Sequence, residues 1–226
     1  MEFIHLKYSN YLISYVATSF LIKLISLKDI WLFNCCDGCQ HIIIQENIKV
    51  NQISKIIITD LYTDSLSGLL GLLSSLNLSG RNKPLHIYGP VGLEAYIDLG
   101  KKYSHTNFCY AIHIHIIQKG LFIDHTNYRI YARTHNDHLE FFIILHERNG
   151  KFLLSKAQEF QITSGPLYGQ LKKGLHFMLP DGLILNGVNF TNSKSVGIKL
   201  VLCFYSYHTR QSIQNSTNSK ILFCRI

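Results

Sequence analysis

An α/β fold organised around a large sheet is predicted by three features of this 226-residue sequence. Short apolar runs rich in β-branched and aromatic residues recur along it, and such residues suit pleated, half-buried strands. Two segments of helical length, residues 66–76 and 92–103, alternate with those runs, the pattern of strand–helix–strand units. Hydrophobic residues make up 47% of the chain and charged residues 16%, so a core can form where a disordered chain could not bury one. The length suits one domain, 1–226.

The elements follow in order. Residues 12–25 read as extended backbone, and residues 30–34 as a short apolar run ending in a loop from Cys35 to Cys39. Lys55 to Thr59 (Lys-Ile-Ile-Ile-Thr) is a buried strand by length and β-branching. The polar stretch from Asp60 to Ser65 follows it directly, and α/β sheets put chemistry in loops of this kind. The Leu-rich segment 66–76 is helical and is broken at Ser79-Gly80-Arg81-Asn82. Residues 85–88 form a strand that Gly89-Pro90 ends, and 92–103 a helix. His and Ile alternate over 111–117, giving a strand with one polar face that carries His113 and His115. Residues 128–133, 140–146 and 151–154 continue as strands, two short strands flank Pro180-Asp181-Gly182, and 198–205 is the last clear strand. The Ser/Asn/Thr-rich stretch 211–220 reads as loose.

The net charge of +8 and the pI of about 9.1 fit a solvated basic surface, and equally a polyanionic partner, because Lys and Arg release counterions from phosphate backbones. Six unevenly spaced cysteines in a chain of this size argue for free buried thiols and against a disulfide framework. Cys36-Asp37-Gly38-Cys39 has the form of a redox or half-zinc motif, but no second pair stands at zinc-finger spacing. Gly89-Pro90-Val91-Gly92 lacks the Lys-Ser/Thr of a phosphate loop and is read as a turn before a helix. Lys23 and Lys28, with several Ser, Thr and Asn, interrupt the apolar stretch 11–30, which is therefore read as strand and not as a membrane span.

Six stretches, in order, resemble the RNase Z family of tRNA 3′-processing nucleases. They are 1–4, the loop Trp31-Leu32-Phe33-Asn34-Cys35-Cys36-Asp37-Gly38-Cys39-Gln40-His41, residues 58–72 around Asp60, the turn at Pro84-Leu85-His86-Ile87-Tyr88-Gly89-Pro90, the segment from Gly165 to Gly174, and residues 184–187 with 205–210. The resemblance implies a metallo-β-lactamase-like αββα sandwich and, over about 150–187, an arm that grips tRNA through Lys172 and Lys173 with Gly165, Pro166 and Gly174 around them. It also implies a two-zinc nuclease whose motif is His-x-His-x-Asp-His. Here those positions hold Asp60, Tyr62, Asp64 and Ser65, so Asp64 alone matches. His135 falls where the family has its next metal His, and His208 stands in place of a bridging Asp. The chain ends at Ile226, ahead of the family's catalytic and final metal histidines, which reads as loss of part of the C-terminal half.

Asp64 is thus the candidate catalytic residue, and Asp64, His135, Asp60 and His208 are the candidate metal ligands. Tyr and Ser replace imidazole poorly at zinc, so the expectation is no cofactor, or at most one weakly bound divalent ion. The reading is an RNase Z-like protein without nuclease activity. An active enzyme with a rewired or partner-completed site, and a non-functional remnant reading frame, are the alternatives. The expected partners are tRNA or precursor tRNA, a second copy or an active family member, and no membrane. A residue usage rich in A/T-coded amino acids points to a plastid if the protein is organelle-encoded, and otherwise to the cytoplasm.

Overall fold

The computed structural model describes residues 2–5, 19–25, 27–135, 138–147, 150–179, 182–192, 197–203, 214, 217, 219 and 221–224; for 2–5, 134, 135, 138 and 221–224 it describes the backbone alone. The first sheet sets β1 (Glu2–His5), β2 (Phe20–Leu24), β3 (Asp29–Phe33), β4 (Ile53–Ile57), β5 (Leu85–Gly89) and β6 (Ile112–Ile116) side by side in chain order. The pairs β1–β2 and β2–β3 are antiparallel, whereas β3 to β6 run parallel. Parallel neighbours need a crossover, and helices supply each one. The helix α1 (Cys39–Gln45) joins β3 to β4, α2 (Thr63–Leu66) and α3 (Leu69–Leu78) join β4 to β5, and α4 (Leu93–Ser104) joins β5 to β6.

Period-two alternation sorts the strand side chains between two cores. Leu32, Ile56, Ile58, Leu85 and Ile87 pack outward beneath Ile43, Leu69, Leu72, Leu73 and Ile97 of the helices. Trp31, Phe33, Ile57 and Tyr88 point the other way, against Tyr128, Ile130, Phe141, Ile143, Leu200 and Leu202 of a second sheet. That sheet has the order β13 (Ile221–Cys224), β12 (Ile198–Cys203), β9 (His138–Leu145), β8 (Tyr128–His135), β7 (Gly120–His125), antiparallel except for β12–β13. Between the sheets the Trp31 and Tyr128 rings meet edge-on with centroids 4.6 Å apart, and the Lys55 ammonium lies 5.7 Å from the Trp31 ring centre. Each such ring pair contributes about 0.5–1.5 kcal/mol beyond its area burial.

Between the adjacent strands β9 and β12 the chain leaves the sheet and builds a separate small unit of α5 (Leu154–Glu159), α6 (Pro166–Lys172) and the ribbon β10 (His176–Met178)–β11 (Ile184–Asn186). Ala157, Leu171, Leu185 and Phe190 form its own core. Backbone bonds from Leu153 to Phe190 (2.8 Å) and from Asn192 to Lys151 (3.0 Å) close its neck. Gly187 is required there, since a Cβ would stand 2.5 Å from the Leu175 carbonyl oxygen.

The predicted strand at 151–154 is not formed. Phe152 makes an isolated bridge to Thr191, and α5 starts at Leu154, because a four-residue apolar run does not by itself distinguish strand from helix. The strands β7 and β13 and the helices α1, α5 and α6 were not predicted; all five are short, and neighbouring elements hold them. Among the described residues no helix is long and apolar enough to cross a membrane.

Candidate functional site

The β3 and β4 strands end side by side, and the loops after them are tied together at the sheet's C-terminal edge. Asn34, fully buried, has a left-handed φ of 53°, a conformation that Asn tolerates better than most residues. Its Oδ1 accepts the backbone N–H of Thr59 at 2.9 Å and lies 3.1 Å from the Thr59 hydroxyl. That hydroxyl is closer still, 2.7 Å, to Asp60 Oδ2, the stronger acceptor because it is charged. Asp60 Oδ1 accepts the N–H of Tyr62 at 3.0 Å, so the carboxylate closes its own turn. Two further bonds knit the loops, Cys35 N–H to the Ser65 carbonyl (2.8 Å) and Gly68 N–H to the Cys35 carbonyl (3.0 Å). A Cβ on Gly68 would lie 2.0 Å from the Cys36 carbonyl oxygen, which is why the loops can meet only at glycine.

The sequence-predicted residues divide on this frame. Asp60 is half-buried and spent on the turn, Tyr62 is 71% exposed, Asp64 is exposed on α2, and Ser65 is 2% exposed with its backbone in the knot. The backbone of His135 lies at the end of β8, paired with His138, but its side chain is not described, and His208 lies outside the described residues. The donor chemistry does not fit a metal pair: one carboxylate is turned onto a hydroxyl and an amide, and a phenol and an alcohol fill imidazole positions. Among the described residues no group of three or more His, Cys, Asp or Glu is placed to hold an ion.

Beneath the knot lie the thiols of Cys35 and Cys39, buried, and Cys36, half-buried; all are free. Burial pushes the Cys35 thiol well up, with the Cys39 thiol beside it adding to the rise, and burial likewise raises Cys36. A raised thiol is a weaker nucleophile source at neutral pH, which fits the loop reading of the C-x-x-C.

In the small unit, Lys172 and Lys173 are exposed at the C-terminal end of α6, a helix that starts from Gly165 with Pro166 in its first turn. Gly174 follows with φ 83°, the left-handed residue that ends many helices. Lys156 on α5 and His176 on β10 are exposed in the same unit and were not singled out from sequence.

No family model matches the chain. The chain is 33% identical over 209 residues to a ribonuclease Z of Acaryochloris marina, covering 91% of this chain and 67% of that protein. It is 38% identical over 187 residues to the uncharacterized protein ycf56 of Porphyra purpurea, covering 81% of this chain and 71% of that one. Over 69% of its length it superposes on human tRNase Z, short form, with a TM-score of 0.50 at 21% identity, covering 80% of that structure. The solved structures that resemble it include several metallo-β-lactamase-fold proteins. The chain spans about two thirds, 64–67%, of the length of the ribonuclease Z relatives it matches.

Proposed function

We propose, from the premise that this chain belongs to the ribonuclease Z family, that it is an RNase Z-like protein of tRNA 3′-end processing which engages precursor tRNA and does not itself cut it. The observation that carries this is the Asp60 turn, where the carboxylate standing in place of the first His of the family's metal motif binds Thr59 and Tyr62 of its own loop. With Tyr62 and Ser65 at two further positions, three of the four motif residues offer no competent ligand. Catalysis by a metal pair depends on such ligands and on their supporting bonds, so Asp64 alone supplies no route to it. At most one weakly held divalent ion is expected.

Binding is assigned to the small unit over about 150–187. Phosphate contacts need exposed cations and backbone access, and Lys172 and Lys173 at the end of α6 provide the first. A second copy of the chain, or an active family member, is the natural protein partner. The kinship with cyanobacterial proteins, together with the A/T-coded residue usage, supports a plastid setting.

The test is incubation of the purified protein with a labelled precursor tRNA and Zn²⁺ or Mn²⁺, reading cleavage and gel shift from the same samples. A shift without cleavage is expected. Removal of the 3′ trailer, lost in Asp64→Ala, would overturn the inactive reading. Absence of both shift and cleavage would remove the tRNA role altogether.

A further inference from the structure

On the face of the first sheet that looks toward the second, the parallel strands β5 and β6 bring three histidines together. His86 Nδ1 lies 3.1 Å from His115 Nε2, and the His113 ring stacks on His86 with centroids 5.0 Å apart. His115 in turn stacks on Tyr88 at 4.7 Å, Tyr88 meets Phe122 of β7 at 5.7 Å, and Phe122 meets Phe141 of β9 at 5.9 Å. The histidines thus end a ring chain that crosses between the sheets. The strand β6 closes that edge of its sheet, with β5 as its hydrogen-bonded neighbour.

A contact of 3.1 Å between two ring nitrogens needs one donor and one acceptor. Two imidazolium rings are both donors at each nitrogen, so the doubly protonated pair cannot keep it. The surroundings offer no relief. Lys55 of β4, Arg81 ahead of β5 and the neighbouring His113 all disfavour a charged His86 ring, while burial raises the Tyr88 phenol and so keeps it neutral. The carboxylate of this group, Asp29, is taken by Lys55 at 3.5 Å and by the Trp31 indole N–H at 2.9 Å.

We propose that the His86–His115 pair is an acid-sensitive latch that holds the edge strand β6 on β5 while a ring nitrogen stays free to accept, and releases it when both rings are protonated. Burial, followed by the neighbouring histidines, holds His86 below its ordinary value of 6.5, and burial with His113 does the same for His115. The latched state therefore binds fewer protons than the open one. The latch is at full strength above pH 6.5 and weakens as pH falls below it. Release would also loosen β5, whose Tyr88 carbonyl accepts the Ile58 N–H at 2.8 Å beside the Asp60 turn.

The test is a pH titration of the full chain from about pH 7 to about pH 5, reading imidazole carbon shifts and amide exchange over Ile112–Ile116 by NMR. His86 and His115 should titrate below 6.5, and β6 opening, corrected for intrinsic exchange, should rise up to about tenfold per pH unit for each proton taken up. His115→Gln, which keeps a polar partner but cannot charge, should flatten that rise. Midpoints at or above 6.5, or β6 exchange that stays constant while the rings titrate, would overturn the proposal; both readouts need only the unsubstituted protein.

Discussion

Replacing Asn34 by Ala tests whether one buried side chain holds the two site loops together. The substitution leaves the Asn34 N–H bonded to the Ile57 carbonyl at 2.9 Å but strands the Thr59 N–H, whose acceptor was Asn34 Oδ1. Thr59 is 6% exposed, so water does not readily replace that partner. An orphaned buried donor costs about 1–3 kcal/mol. The Thr59 hydroxyl keeps Asp60 Oδ2 and adds nothing to the loss. Alanine at a φ of 53° costs roughly a further 1 kcal/mol, because its Cβ crowds the following carbonyl. The expected destabilisation is about 2–4 kcal/mol. Asn34→Gly separates the contributions, since glycine accepts the left-handed backbone but offers no acceptor. It should recover roughly 1 kcal/mol relative to alanine. Urea unfolding followed by circular dichroism measures both, with an unchanged denaturant slope showing that the native and unfolded states are otherwise comparable. A loss below about 1 kcal/mol in the alanine variant, or a glycine variant no better than alanine, would refute the reasoning.

Gly68→Ala should be worse tolerated, at about 3 kcal/mol or more, because the new Cβ meets the Cys36 carbonyl oxygen at 2.0 Å and backbone cannot rotate away. Gly169→Ala, inside α6 with nothing within 4 Å, should instead raise the melting temperature slightly, by up to roughly 1 kcal/mol of stability, and serves as the control. Substituting Lys172 and Lys173 by Ala should weaken precursor-tRNA binding and lower the slope of log affinity against log salt by up to about 1.8, read by fluorescence anisotropy at several salt concentrations. An unchanged slope would move the contact away from the end of α6.

The α/β class was legible because short β-branched and aromatic runs such as Lys55 to Thr59 alternate with segments of helical length, but which side chains face the helices and which the second sheet was not, since Trp31-Leu32-Phe33 and Ile56-Ile57-Ile58 are apolar on both faces. The departure from the family's metal motif was legible at Asp60, Tyr62 and Ser65 because ligand identity is a property of residue type, and imidazole chemistry cannot be supplied by a phenol or an alcohol. Tertiary structure alone decided that Asp60 is turned onto Thr59 and Tyr62, that Asn34 is the tie beneath it, and that His86, two strands from Asn34 in the sheet, meets His115. Each of these is a contact between strand ends or across strands. Such contacts depend on sheet order and register, and a local window of sequence specifies neither. The same limit explains α5 and α6, whose short helices are stabilised chiefly by the core that Leu171, Leu185 and Phe190 build between them.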